Sequence, residues 1–312
     1  MRAAGVTEFG GPEALHIVDV EAEPLGPGQV RLQVQAATVN PTDTYARSGV
    51  YAGRDPVKTP PWVPGMDVAG VVSEVGEGVD HLEVGDLAMG IVVPFGPYGG
   101  YREDKVLPGD SVVRAPKGVD AVAAATLPMN GLTARLSLNL MGLQRGQVLA
   151  VTGAAGSYGG YVIQLAKAEG LTVIADASEA DEQLVRDLGA DVVVRRGDDV
   201  ADRIREHYPE GVDGLADGSV QDALVLPAVK DGGAVATVRG YKGDGSREDL
   251  RFFPTLVRKI AEDRAALDGL RQLVEDGAVT LRVAQTFPAE QAAEAHRMLE
   301  AGGVRGRLVL TF

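Results

Sequence analysis

Residues 148–160 read VLAVTGAAGSYGG, and this stretch decides the fold of the chain. A short apolar run typical of a buried parallel strand leads into a turn of small residues, after which a helix is expected. Glycines in such a turn let backbone N–H groups approach an anion, and the helix N-terminus adds unpaired donors. The order strand, glycine turn, helix therefore predicts a loop that binds the pyrophosphate of a dinucleotide. The expected contacts are Gly153, Ala154, Ala155, Gly156, Ser157, Tyr158 and Gly159.

Two features further along the chain bear on which dinucleotide binds. Asp176 ends the second strand, about 20 residues beyond the loop, where a carboxylate can accept hydrogen bonds from ribose hydroxyls and repel a 2′-phosphate. Arg195 and Arg196 follow the third strand and can pair with a 2′-phosphate. Asp176 favours NADH and the arginine pair favours NADPH, so the predicted cofactor is NADPH or NADH. Solvated surface charge is the competing interpretation of all three residues.

The pattern on either side of the loop predicts the domain organisation. Strands alternate with helices through the middle of the chain, which indicates βαβ units and a parallel sheet. Residues 1–118 instead show short strands between Gly and Pro turns, which is typical of a small barrel or sandwich. We therefore expect an α/β fold with two domains, one formed by 1–118 plus 266–312 and the other by 119–265. Helices are expected at 120–127, 132–140, 221–229 and 254–275, with a break between the first two at Pro128.

The composition narrows the function classes. The chain has 312 residues, a net charge of −14 and no cysteine. An acidic surface repels phosphate backbones and anionic lipid, so we expect neither a nucleic-acid nor a membrane partner. Without cysteine there is no disulfide and no thiolate metal site, which agrees with an expected cytoplasmic location.

Motifs spread along the chain identify a family. They are 39–49 (VNPTDTYARSG), 64–72 (PGMDVAGVV), 132–134 (LTA), 188–191 (LGAD) and 300–310 (EAGGVRGRLVL). In these motifs the chain resembles the medium-chain dehydrogenase/reductase superfamily, and within it the zinc-free quinone oxidoreductases, over nearly its whole length. The resemblance implies a GroES-like β-barrel catalytic domain built from both chain ends and a Rossmann domain, with a doubly wound parallel sheet, between them. It also implies a site in the cleft between the two domains.

The residues at the expected zinc position argue against a metal. Zinc members of the superfamily carry Gly-His-Glu at a strand start, whereas here Met66 and Asp67 follow Gly65. The four histidines are scattered along the chain without metal-ligand spacing. We therefore expect no metal. We expect hydride transfer from a reduced nicotinamide to a quinone or another conjugated carbonyl, a small-molecule acceptor that delocalises the incoming charge itself.

The resemblance also carries site residues onto this chain. Asn40 and Tyr45 are expected to contact the substrate, with Tyr51 as a weaker candidate. Asn40 would orient a carbonyl, and Tyr45 would stack on a ring or donate its hydroxyl to an oxyanion. A turn-forming Asn and a half-buried Tyr are the alternative interpretations. On the cofactor side the candidates are Asn130, Thr133, Val238, Arg239 and Gly240.

Departures from the family pattern bear on the substrate. Tyr158 replaces a small or aliphatic residue of the loop, where it either crowds or covers the pyrophosphate. A polar insert occupies 52–58, and Arg239 stands where a small residue is usual.

The alternatives to a quinone reductase are an enoyl or carbonyl reductase of a biosynthetic pathway and a non-catalytic NAD(P)H-binding sensor. We also expect a homodimer paired through an edge strand at 250–253.

Overall fold

The computed structural model describes residues 1–52, 59–93 and 99–312. It divides into a terminal unit, Met1–Met129 with Arg258–Phe312, and a central unit, Asn130–Val257. The boundaries predicted from the sequence lie at 118/119 and 265/266. In the structure, residues 119–129 and 258–265 group with the terminal unit and not with the central one. Within the described ranges, no helix is both long enough and apolar enough to cross a lipid bilayer.

The bounds of the elements, in chain order, are as follows. The strands are β1 (Arg2–Gly5), β2 (His16–Asp19), β3 (Gln29–Thr38), β4 (Asp67–Val75), β5 (Leu87–Ile91), β6 (Asp104–Pro108), β7 (Val112–Arg114), β8 (Val148–Thr152), β9 (Thr172–Ala177), β10 (Val192–Arg195), β11 (Val212–Asp217), β12 (Val229–Thr237), β13 (Arg251–Pro254), β14 (Val283–Pro288) and β15 (Arg307–Thr311). The α-helices are α1 (Pro41–Ser48), α2 (Ala121–Ala124), α3 (Pro128–Met141), α4 (Ser157–Ala168), α5 (Glu182–Asp187), α6 (Val200–His207), α7 (Arg264–Glu275) and α8 (Ala292–Ala301).

The central unit, all of whose residues are described, is built on a six-stranded parallel sheet in the order β10-β9-β8-β11-β12-β13. Its strands are apolar because helices and loops cover them; Ala150, Ile174 and Leu215 are all 0% exposed. From β8 the chain first builds one side of the sheet and then crosses to the other. The strand order therefore reverses at β8, and ligands of such sheets bind outside the carboxyl ends of the strands at this switch point.

The terminal unit carries a mostly antiparallel sheet that joins both ends of the chain. Its described strands follow the order β14-β15-β3-β4-β5-β7, and β6 also pairs with β3. The last strand, β15, pairs with β3 through Val309 opposite Thr38. Val30, Leu32 and Leu310 lie in one buried cluster, so the C-terminal tail completes the core begun by the first strands.

Some predicted elements differ from the structure. The expected break between the first two helices lies at 125–127, and Pro128 is the first residue of α3, because proline suits the first helical turn, where no N–H bond is lost. The helix predicted at 221–229 is a 3₁₀ helix, Asp222–Ala228, with Pro227 inside it. The helix predicted from 254 is wrong over its first part: Pro254 ends β13, and α7 begins only after Asp263, whose side chain accepts the Ala266 N–H.

Candidate functional site

The glycine loop joins β8 to α4 at the switch point of the central sheet. Gly153 has a φ of +64°, a left-handed conformation that favours glycine. The Gly156 N–H donates to the Gly153 carbonyl oxygen at 2.9 Å. A Cβ on Gly159 would lie 2.5 Å from that same oxygen, so the first turn of α4 packs directly on the loop. The N–H groups of Ser157 and Tyr158, which open α4, have no acceptor within the helix, and this arrangement fits the pyrophosphate of a dinucleotide.

Strand register aligns the ends of neighbouring strands beside this loop. Asp217 lies in register with Thr152 on one side and with Thr237 on the other. Thr152 Oγ1 donates to Asp217 Oδ1 at 2.6 Å, and the Asp222 N–H donates to Asp217 Oδ2 at 2.9 Å. The glycine loop and residues 238–240 therefore leave the sheet at the same edge, where the candidate cofactor residues gather.

Asp176 lies in β9 beside the loop, and its carboxylate faces the loop backbone. Its Oδ1 accepts the Ala154 N–H at 3.0 Å, and the Gly153 N–H donates to the same carboxylate. The residue is only 5% exposed. Burial raises the pKa of Asp176, while the two backbone donors and the nearby Arg196 charge oppose that rise. The sequence predicts a contact with ribose hydroxyls, but in the structure this carboxylate is bound to the loop.

The arginine pair lies at the end of β10, next to β9. The Arg195 guanidinium is 3.7 Å from the Glu179 carboxylate, and the Arg195 side chain is 45% exposed. Arg203 donates to the Arg195 carbonyl oxygen at 2.7 Å, which fixes the backbone here. Arg196 is also exposed, yet its charge still acts on Asp176. The contact of this pair with a 2′-phosphate stays a prediction that this placement supports.

The Tyr158 hydroxyl contacts Ser137, which in turn contacts a third hydroxyl group of the central unit. Its hydroxyl is 2.8 Å from Ser137 Oγ, which is in turn 3.0 Å from Thr255 Oγ1. Ser137 also donates to the Thr133 carbonyl oxygen at 2.9 Å. A Cβ on Gly218 would lie 2.9 Å from the Tyr158 ring, and burial raises the pKa of the phenol. The ring therefore covers the chain at Gly218, beside the loop.

The remaining cofactor-side candidates come from two segments of the central unit. Asn130 and Thr133 lie three residues apart near the start of α3, so they share one helix face, and they are 8% and 7% exposed. Val238, Arg239 and Gly240 directly follow β12; Arg239 is exposed and Gly240 has a φ of +86°. Their contacts with a nicotinamide ring stay predictions.

In the terminal unit, Asn40 belongs to a buried polar cluster and is 0% exposed. Its Oδ1 accepts from the Arg307 guanidinium at 2.6 Å, and its Nδ2 donates to Asp67 Oδ2 at 2.9 Å. Arg307 also donates to Thr38 Oγ1 at 2.6 Å and to Asp67 Oδ2 at 3.1 Å. The Met129 N–H donates to Asp67 Oδ1 at 2.6 Å. Both ends of the Asn40 amide are engaged inside the unit, and the contact with a substrate carbonyl that the resemblance implies stays a prediction.

A second buried network fixes the start of α1. Asp43 accepts the Asn40 N–H at 2.8 Å, the Tyr101 hydroxyl at 2.9 Å and the Gly65 N–H at 3.1 Å. Burial raises the pKa of Asp43 to about 7 and lowers the pKa of His296 to about 3. The Tyr101 hydroxyl lies 3.3 Å from His296 Nε2, so α1 and α8 are tied together through buried polar groups.

Tyr45 and Tyr51 form an aromatic pair on and just after α1. Their rings meet edge to face, with centroids 6.1 Å apart at 89°, and both residues are half-buried. The buried networks around Asn40 and Asp43 orient the helix that carries Tyr45. The polar insert predicted at 52–58 lies outside the described residues except for Ala52. The substrate contacts of the two tyrosines stay predictions.

Sequence reasoning missed most of the partners that hold these candidates in place. They are Thr38, Asp43, Asp67, Tyr101, Ser137, Thr255, His296 and Arg307. One signal was present: Asp67 and Arg307 each precede an apolar strand run, where a charge must be buried and therefore paired. Nothing in the sequence said which charge pairs with which.

A catalytic zinc ion needs three protein ligands. Across 1–52, 59–93 and 99–312, no group of three or more His, Asp or Glu residues could hold a metal ion. The chain has no cysteine, and Met66, at the expected ligand position, has its sulfur 3.0 Å from Thr42 Oγ1.

Comparison with known proteins agrees with both units. Residues 26–117 match the alcohol dehydrogenase GroES-like domain family, and 188–310 match the zinc-binding dehydrogenase family. The quinone oxidoreductase of Rattus norvegicus is 31% identical over 99% of this chain and 97% of its own. The 2-haloacrylate reductase of a Burkholderia species is 30% identical over 99% of this chain and 98% of its own. The solved structure of a mycobacterial protein complexed with NADPH has a TM-score of 0.87 and 28% identity, and the match covers 100% of both chains.

The fold, the loop and these relatives define an NAD(P)H-dependent oxidoreductase with a GroES-like domain and a Rossmann-like parallel-sheet domain. The chain belongs to the quinone oxidoreductase family of the medium-chain dehydrogenase/reductase superfamily. The predictions of family, fold class and enzyme class are thereby confirmed.

Proposed function

We propose that this protein transfers hydride from reduced nicotinamide to a quinone or another conjugated carbonyl without the help of a metal. The observation that carries the proposal is the donor set, because the chain lacks cysteine and has Met66 at the position of a zinc ligand. A metal acts in such enzymes by polarising an oxygen atom. A quinone needs no such polarisation, since it delocalises the incoming charge itself. The rat relative is a quinone oxidoreductase, which supports the same acceptor class.

The candidate residues divide between cofactor binding, contact with the acceptor and positioning of α1. The N–H groups that open α4 bind the pyrophosphate, and the bound nicotinamide supplies the hydride. Tyr45 and Tyr51 contact the planar acceptor, and a tyrosine hydroxyl donates to the developing oxyanion. Asn40 holds the start of α1, and therefore Tyr45, through its bonds to Arg307 and Asp67. Solvent supplies the proton.

A panel of acceptors tests the proposal. Steady-state rates would be measured with NADH and with NADPH against a quinone, a conjugated enone, an enoyl thioester and 2-haloacrylate. We expect the quinone or the enone to give the highest kcat/KM, with no loss of rate in a metal chelator. A rate that falls in chelator and returns with zinc contradicts the metal-free mechanism. Exclusive use of the thioester would instead identify a biosynthetic enoyl reductase, and tight NAD(P)H binding without reduction of any acceptor would identify a sensor.

A homodimer is the second part of the proposal. Strand β13 is the last strand of the central sheet, and among the described residues it pairs only with β12, so its other edge presents backbone groups that no described strand pairs with. We expect light scattering at micromolar concentration to give twice the 32.5 kDa of the chain. Phe253→Lys, on β13, is expected to give the monomer mass, because an edge lysine opposes strand pairing. Leu224→Lys, at a residue 55% exposed and outside the strands, is the control that stays dimeric. A native protein of monomer mass overturns this part.

The cytoplasmic location stays a prediction. The acceptor panel also determines the preference between NADH and NADPH, because it measures kcat/KM for each nucleotide in the same series.

A further inference from the structure

Asp176 lies where the sequence predicts a ribose-binding carboxylate, but its carboxylate accepts hydrogen bonds from the glycine loop. Its strand, β9, is the neighbour of β8, and Ala175 lies in register with Val151, one residue before Asp176 and Thr152. The carboxylate therefore lies level with the start of the glycine loop. There it accepts the Ala154 N–H at 3.0 Å and the Gly153 N–H as well.

We propose that Asp176 is a positioning residue that sets the shape of the glycine loop, and that it serves NADH and NADPH alike. The proposal rests on nicotinamide binding by this loop and not on the identity of the acceptor. Burial supports it, because a residue 5% exposed with its carboxylate bonded to two loop amides presents little to a ribose. The identity of the donors supports it too. They are backbone N–H groups, so the bonds act on the shape of the loop itself.

The bonds also decide which loop amides remain for the pyrophosphate. The Ala154 and Gly153 N–H groups donate to Asp176, so these two amides are already engaged. The donors that open α4 are those of Ser157 and Tyr158. Gly153 has a φ of +64°, and the start of α4 packs on its carbonyl oxygen. The bonds that Asp176 accepts from Gly153 and Ala154 therefore also fix where the helix begins. Asp176 thus prepares the anion site before the cofactor arrives.

The same geometry removes the reason to expect NADH. A carboxylate excludes NADPH by repelling the 2′-phosphate from a position beside it. A carboxylate bonded to the loop backbone cannot take that position, and the exposed groups at this edge include Arg195 and Arg196. Discrimination between the two nucleotides therefore belongs to these residues and not to Asp176.

Nucleotide titrations without any acceptor test the proposal on the full-length protein. Binding of NADH and NADPH would be followed by nicotinamide fluorescence for the native protein, Asp176→Ala and Asp176→Asn. We expect Asp176→Ala to weaken both nucleotides by at least about tenfold, with their ratio unchanged within about twofold, because both depend on the same loop. Asparagine keeps one acceptor oxygen, so Asp176→Asn is expected to recover most of the affinity. In steady state the nucleotide KM should rise while kcat at saturating nucleotide and the acceptor KM stay near native values.

Asp191→Ala is the matched control. Asp191 also accepts a backbone N–H of β9, that of Val173 at 2.7 Å, but near the other end of the strand. Its loss removes a bond of the same kind, together with the ion pair to Lys167 in the last turn of α4, while leaving the loop alone, so both dissociation constants should stay within about twofold of native. This control separates loop positioning from general destabilisation of the central unit.

Two outcomes overturn the proposal. The first is a gain in NADPH affinity relative to NADH of about tenfold or more in Asp176→Ala and Asp176→Asn, which identifies a ribose discriminator. The second is an unchanged affinity in both variants. If Asp176→Ala does not fold, the isosteric Asp176→Asn carries the same comparison. Because no acceptor is present, a failure here is distinguishable from a failure of the proposed quinone reduction.

Discussion

Gly159→Ala is expected to weaken the binding of both NADH and NADPH by about 10- to 100-fold. The added Cβ would lie 2.5 Å from the Gly153 carbonyl oxygen and 2.8 Å from the Ala154 Cα. Both are backbone atoms, so they cannot swing aside as a flexible side chain can. The start of α4 must move away from the loop, and the N–H groups proposed to bind the pyrophosphate move with it. Fluorescence titration with each nucleotide measures the effect.

Gly269→Ala is the control for this substitution. Gly269 lies inside α7, and a Cβ there has nothing within 4 Å. Alanine at such a position is expected to leave nucleotide binding unchanged and to stabilise the helix by about 0.5–1 kcal/mol. If Gly159→Ala binds NADPH within about twofold of the native protein, the loop is not the pyrophosphate site.

Arg307→Met is expected to lower the free energy of unfolding by about 3–5 kcal/mol. Arg307 is 4% exposed and donates to Thr38, Asn40 and Asp67, all three of which are 0% exposed. Methionine fills much of the space but supplies no donor, so the Asp67 carboxylate stays buried without its cation. Urea unfolding, followed by the fluorescence of Trp62 in the same unit, measures the loss.

A surface arginine on a nearby helix provides the comparison. Arg297 pairs with Glu294, and both side chains are about half exposed, so Arg297→Met is expected to cost less than about 1 kcal/mol. In the buried cluster, adding Asp67→Asn to Arg307→Met should recover part of the stability, since the uncompensated charge is gone. A loss below about 1 kcal/mol in Arg307→Met alone would show that the cluster does not hold the terminal unit together.

Local features were predictable from the sequence because their causes lie within a few residues of each other. The strand expected at 148–152 is β8, Val148–Thr152, with the same bounds, and α4 follows the glycine turn. The left-handed φ of Gly153 needs only the absence of a Cβ. The prediction of a helix from 254 failed for the opposite reason. The strand that ends at Pro254 forms because it pairs with β12, and no local pattern reveals that pairing.

Side-chain roles were less predictable because they depend on partners distant in the chain. Asn40 reads as a substrate contact beside Pro41, yet its amide is engaged by Arg307, 267 residues away. Tyr158 reads as an obstacle in the loop, yet its hydroxyl is held by Ser137, 21 residues before it. A motif names the residue type at a position, while the direction of its side chain follows from whatever packs against it.

The sequence by itself therefore determined the glycine loop, the βαβ units, the family and the nicotinamide cofactor. Each follows from the backbone requirements of a short segment or from motifs that recur as segments. Only the tertiary structure decided which groups the Asp176 carboxylate bonds to. The sequence places it where a ribose-binding carboxylate is expected, but in the structure this carboxylate accepts hydrogen bonds from Ala154 and Gly153. A buried carboxylate must find donors, and which donors lie nearest is settled by the packing of β9 against β8.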